Sequence, residues 1–191
     1  MLVATDNLAL VNGILDRMEE RLARGGQLAS QQRQGQLEVR AATARKLELR
    51  GTMRQAHLSH LAQVAKVVAR EVPELAQKLV LRPGPTTYLA FRTAARGMAA
   101  EAQNQEEVLV KHGLVETVLD NLVQALDQFD AAMEQATGGR QAHVGASAEL
   151  KAVADEVVQI VNVMDGLNRY RFMNHAELLA AARWLRATGG P

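Results

Sequence analysis

His57 and His60 stand three residues apart, a spacing that lets two imidazoles on one helical face reach a single metal ion. Such a site needs a third ligand, and no Asp or Glu occurs between Glu48 and Glu71, so a different helix would have to provide it. Both histidines are read as solvated or capping side chains, and no metal or other cofactor is expected. Glu-x-x-His, the repeated motif of di-iron helical bundles, does not occur. Nor does Gly-x-Ser-x-Gly, a dinucleotide or phosphate glycine loop, or any cysteine. The chain is therefore read as non-enzymatic.

Two further groups of residues stand out. Asn168 to His175 interleaves Arg169 and Arg171 with Tyr170 and Phe172, and Trp184 follows between Arg183 and Arg186. Arginine beside aromatics suits a partner surface, through stacking and ion pairing, so Arg169, Tyr170, Arg171, Phe172 and Trp184 form a candidate interaction surface. The same residues could close the end of a bundle, with Phe172 and Trp184 buried and the arginines reaching outward. That closing role is the favoured reading. Val115, Leu119, Leu122, Leu126, Phe129 and Met133 alternate by fours and threes, the spacing of a helical seam, and are the candidate self-association seam.

The elements that would carry these residues follow from the placement of proline. Pro73, Pro83, Pro85 and Pro191 are the only four, so residues 1–72 and 86–190 lack the strongest helix breaker. Ala, Leu, Gln, Glu and Arg fill both stretches, and aromatics make up 3% of the 191 residues. The expected fold is all-α: an elongated helical bundle with coiled-coil-like heptad seams and about five to six helices.

Leu8, Val11, Leu15, Met18 and Leu22 predict a first helix that Gly25 and Gly26 stop. Residues 27–52, rich in Gln and Arg and poor in large apolar side chains, read as an exposed polar arm or linker. Residues 53–187 read as the bundle core. Met53, Leu58, Leu61, Ala65, Val68 and Val72 carry a helical stripe that Pro73 ends or kinks, and the segment Leu81 to Pro85 reads as a loop. Thr86 or Thr87 is placed to cap the next helix, whose stripe runs from Tyr88 through Phe91, Ala95 and Met98 to Leu109. Beyond it, His112 on the apolar side and Gly113 mark either a hairpin or a kink in one long helix. Gly138 and Gly139 are expected to end the seam helix, and an apolar helix from Ser147 to Leu167 to lie at the centre of the bundle. Asn174 with Glu177 makes a capping box for a short final helix reaching Ala187. The word RQAH occurs at Arg54–His57 and at Arg140–His143, each followed by a Lys-x-Val-Ala-x-Glu-Val run, which raises duplicated helix-break-helix units at 54–98 and 140–185.

The net charge of +1 conceals segregation. Residues 33–54 hold six basic side chains against two acidic, a balance of +4, whereas residues 101–137 hold one against eight, a balance of −7. Such segments are natural neighbours, within the chain or between chains. With a pI near 8.2 and an acidic middle, nucleic acid is disfavoured as a partner. No apolar run approaches a membrane span, and the first residues lack a basic signal region, so the expectation is a cytoplasmic protein without a membrane partner. The favoured function is that of an interaction or assembly protein, an adaptor, chaperone-like factor or scaffold, partnering itself as a homo-oligomer or another helical protein. The alternative is a small-ligand-binding or sensory bundle, with the ligand near Tyr88, Met98 and His112. A weaker one is a nucleic-acid accessory role for the Arg-rich arm.

Overall fold

Helix α1 runs from Leu2 to Thr52 through the glycines expected to end it. A computed structural model of the chain describes residues 2–81, 87–175, 177, 178, 180 and 184, with side chains from residue 9 onward. A glycine stop needs a left-handed residue, and among the described residues only Gly113 has positive φ, +101°. Gly25 and Gly26 keep helical geometry because good helix formers surround them and a second helix packs alongside. A π-helical turn, Met53–Leu58, follows α1, then α2 (Ser59–Val68), α3 (Pro73–Lys78), α4 (Tyr88–Asn104), α5 (Glu106–Lys111) and α6 (Thr117–Arg171). Among the described residues there is no strand, and the fold is all-α.

The π turn has a reason in the apolar pattern. Met53 and Leu58 are both buried yet five residues apart, a spacing that would turn one of them off the core in an α-helix. Hydrogen bonds running from i to i+5 widen the turn and bring both to the core side. Helix α2 ends at Val68, short of the Val72 that the stripe included; Val72 has left helical geometry (φ −129°, ψ 86°) ahead of Pro73, which occupies the first turn of α3. Thr87 caps α4 as expected, its hydroxyl accepting from the Ala90 N–H at 3.2 Å. The stripe beyond Met98 breaks at Gln105, and α5 ends in a hairpin stop: Gly113 N–H donates to the Val110 carbonyl at 3.0 Å and Leu114 N–H to that of Leu109 at 2.9 Å. The hairpin is thus the outcome at Gly113. Gly138 and Gly139, by contrast, lie inside α6.

The chain divides into two units. One is Gly35–Gln141; the other joins the chain's two ends, Met1–Gln34 and Ala142–Pro191. The sequential division at 26 and 52 is therefore not the structural one, because residues 27–52 belong to α1 and pack. In the Gly35–Gln141 unit, Gly35, Val39, Ala42, Lys46, Leu49 and Met53 recur every three or four residues, all buried or half-buried. Gly35, Ala42 and Lys46 among them are small or polar, which hides the seam from a count of large apolar side chains. Its core joins Leu49, Met53 and Leu58 to Val68, Leu75, Phe91, Leu109, Leu122 and Phe129. The Phe91 ring meets that of Phe129 nearly edge-on at 5.9 Å, and the Lys46 ammonium lies 4.8 Å above the Tyr88 ring.

The two RQAH words differ in local structure. Arg54–His57 lies in the π turn, and the helix after it breaks at Ala69; Arg140–His143 lies within α6, which continues to Arg171. Residues 82–85 of the expected loop and most of the expected final helix, including Arg183 and Arg186, lie outside the described residues.

Candidate interaction face

The unit built from the chain ends is an antiparallel helix pair. Along α1 the residues Val11, Ile14, Met18, Arg21, Gly25, Leu28 and Gln32 alternate by three and four, and each is buried or half-buried. On α6 the matching set is His143, Ala146, Leu150, Val153, Val157, Ile160 and Met164. Contacts fall in number on one helix as they rise on the other: Arg21 Nε lies 3.0 Å from Glu156, Arg24 Nη2 2.6 Å from Glu149, and Gln32 Nε2 donates to Ser147 Oγ at 2.8 Å. Among the described residues of this unit the buried apolar side chains are Leu28, Ala146, Val153 and Ile160, with Leu150 and Val157 partly covered. That is a thin core for two helices of this length.

The two flanks of the pair differ. Arg17 and Arg24 on α1, and Glu149 and Glu156 on α6, each stand one residue before a seam residue, which puts them on one flank. Opposite charges meet there across the helices. These pairs are solvent-exposed, so each contributes about 0 to 1 kcal/mol and acts chiefly to set register. Leu10 and Val163 extend that flank toward the start of α1.

Residues one position after the seam make the other flank: Leu15, Leu22 and Ala29 on α1, Ala154 and Val161 on α6. Leu15 is 40% exposed, Leu22 55%, Val161 45% and the adjoining Val158 58%. A helix apolar both on its seam and on one flank normally packs against two neighbours, and among the described residues it has one here. This flank is the strongest candidate site among the described residues.

The sequence candidates fall elsewhere. Leu119, Leu122, Leu126 and Phe129 are buried in the core of the Gly35–Gln141 unit, with Met133 half-buried against it, while Val115 is 55% exposed at the turn before α6. The seam is thus filled by the chain's own helices. The bundle-closing reading of the Arg and aromatic cluster does not hold either: Tyr170 is 77% and Trp184 66% exposed, and Phe172 is half-buried with the Arg171 guanidinium 5.8 Å from its ring. Arg169 pairs with Asp165 at 2.9 Å, one turn back on α6. Val158 and Val161, on the helix expected at the centre of the bundle, face outward.

Of the histidines, His57 lies in the π turn, where burial lowers its pKa, and His60 is the second residue of α2. Among the described residues no three His, Asp or Glu side chains gather closely enough to hold a metal. His112 caps α5; its Nδ1–H donates to the Val108 carbonyl at 2.8 Å and its Nε2 lies 3.0 Å from the Glu71 carboxylate. The acidic residues Asp127 and Asp130 are held by Arg92 and Arg96 of α4. The 33–54 segment also adjoins them, with Arg45 Nη2 donating to Gln128 at 2.6 Å.

A concavity of about 530 Å³ lies in the Gly35–Gln141 unit, lined by Leu58 of the π turn, Val80, Leu81, Phe91, Ala95 and Met98, with Arg54, Lys78 and Glu101 at its rim. Lys78 donates to Glu101 at 2.8 Å, which raises its pKa. Met98 is in this lining; Tyr88 and His112 are not.

Fold and site together define an all-α protein that presents an antiparallel helix pair with one apolar flank and one ion-paired flank. No helix among the described residues is long and apolar enough to cross a membrane. Compared with known proteins, the chain has no significant match to a family profile, a curated protein or a solved structure.

Proposed function

We propose that this is a non-enzymatic assembly or interaction protein that works by packing the helix pair of its chain ends against further helices, in the manner of a coiled coil or four-helix bundle. The observation that carries this reading is the exposed flank of Leu15, Leu22, Val158 and Val161 beside a core of few side chains. Covering those side chains offsets what the thin core leaves unmet, at about 25 cal/mol for each Å² of apolar surface removed from water. Sedimentation over a wide concentration range tests it. Native mass should exceed 20.8 kDa, and Leu15→Glu with Leu22→Glu should return it to 20.8 kDa at unchanged helicity, because neither side chain belongs to the buried core. A wild-type chain that stays at 20.8 kDa at high concentration contradicts the reading.

A second reading has its own observation, the 530 Å³ concavity beside the π turn. Its size and apolar lining suit a small ligand with an apolar body, and π turns recur at functional sites. A medium-chain fatty acid such as decanoate should raise the melting temperature, and Met98→Trp, which fills the space, should abolish the shift. No shift with decanoate speaks against this reading.

A further inference from the structure

We infer that the apolar flank of the chain-end helix pair docks a second copy of this chain, reversed end for end, so that Leu22 of each copy lies against Leu22 of the other. This rests on the assembly reading and names its partner and register. Four charged residues share the face with the apolar ones by helical spacing. Glu19 is four after Leu15 and three before Leu22, Arg33 is four after Ala29, Lys151 is three before Ala154, and Asp165 is four after Val161. Glu19, Arg33 and Lys151 are exposed, and Asp165 also holds Arg169 of its own helix.

The antiparallel pairing sorts them by sign. Gly25 faces Leu150 and Val153, which sets Lys151 beyond Leu22 on the side of Arg33. Ile14 shares a concavity with Ile160 and Val163, which sets Asp165 on the opposite side, with Glu19. The face is therefore acidic at one end and basic at the other, with Leu22 at its middle. Two such faces aligned end to like end bring like charges together; reversed, they bring opposite charges together. Reversal also lays Leu15 of each copy over the smaller Ala29 of the other, leaving Leu22 on the two-fold axis. A surface that matches itself under a two-fold rotation is what a closed dimer requires, and an unrelated helical partner would need none of this symmetry.

The chain has no cysteine, so single thiols report the register directly. Mild oxidation of Leu22→Cys should give a disulfide dimer. Leu15→Cys alone should not, since the reversed register sets its thiols 14 residues apart along the helix, about 21 Å, well outside disulfide reach. Mixing Leu15→Cys with Ala29→Cys should restore a crosslink between the two variants. Far-UV circular dichroism of each variant confirms retained helix, and Arg33→Glu with Lys151→Glu should weaken association roughly tenfold or more. If sedimentation shows a mass above 20.8 kDa but Leu22→Cys does not crosslink, or Leu15→Cys crosslinks alone as readily, the reversed register is wrong and the assembly reading stands. A monomeric wild type overturns both.

Discussion

Gly139 and Gly138 are neighbours in α6 with opposite surroundings. A Cβ on Gly139 would come within 3.0 Å of the Gly35 carbonyl oxygen, 3.1 Å of the Glu38 Cβ and 3.2 Å of a Val39 methyl, whereas one on Gly138 would meet nothing within 4 Å. Gly139 is therefore a point of close approach between α6 and α1 within the Gly35–Gln141 unit, and backbone cannot move aside as a long side chain does. Gly138→Ala should stabilise by about 0.5 to 1 kcal/mol through helix propensity. Gly139→Ala should destabilise by about 1 to 3 kcal/mol despite the same propensity gain. Urea denaturation of the two variants checks the sign difference. His112 makes a second residue-scale prediction. The Val108 carbonyl, and after it the Glu71 carboxylate, favour the protonated ring and raise its pKa above 6.5, against partial burial and Lys111. Stability from a raised pKa is complete below the unfolded value near 6.5 and is lost as pH rises through the folded value. Melting temperature should accordingly fall between pH 6 and pH 8, and His112→Gln should flatten that part of the profile.

At the scale of elements, the π turn is an accommodation of one residue. Deleting exposed Gln55 leaves Met53 and Leu58 four apart, the spacing at which a plain α-helix keeps both on the core. That deletion should retain helicity and a cooperative melt. Deleting exposed Gln63 from α2 should not, because it rotates Val64, Ala65 and Val68 about 100° away from the core. Helix α6 likewise serves two environments with one periodicity. Leu122→Ala should cost about 2 to 5 kcal/mol, since its side chain is fully enclosed. In a dilute sample Leu22→Ala on α1 should change stability by less than about 0.5 kcal/mol, the range of an exposed site.

For the whole molecule, the two units should differ in the free energy of local opening. The Gly35–Gln141 core is broad, whereas the chain-end unit, among its described residues, buries Leu28, Ala146, Val153 and Ile160 with a few partly covered neighbours. Hydrogen exchange should show residues 10–34 and 142–168 opening well before the Leu58, Leu122 and Phe129 region. Their protection should rise with protein concentration if a second copy covers the flank. Equal protection of both units in dilute solution would contradict the uneven core. Acid acts on the larger unit: the Arg92 hydrogen bond, with Arg96, lowers the Asp130 pKa below 3.8. Its contribution is present above that value and is lost as pH falls further, so Asp130→Asn should weaken the fold at neutral pH and leave it less sensitive to acid.

Composition and periodicity by themselves determined the all-α class, a threonine cap at 86 or 87, the break at Pro73 and the apolar residues of the Met53 to Val68 stripe, because each rests on backbone chemistry within one or two helical turns. Asp130 and Arg92 are 38 residues apart, and nothing local links them. Glycine was where local reasoning failed in both directions. Gly113 stops a helix while Gly25 and Gly139 do not, a difference set by the helix that packs alongside. The burial of residues 35–53 was hidden for a related reason: where two helices approach closely, the seam is made of Gly35, Ala42 and Lys46, small or amphipathic residues that a count of large apolar side chains passes over. Heptad spacing marked Leu119 to Phe129 as a seam but carries no information on which chain fills it. Tertiary packing decided that. It enclosed those residues in the chain's own core and left Leu15, Leu22 and Val161 outside, since only the pairing of α1 with α6 determines which flank remains uncovered.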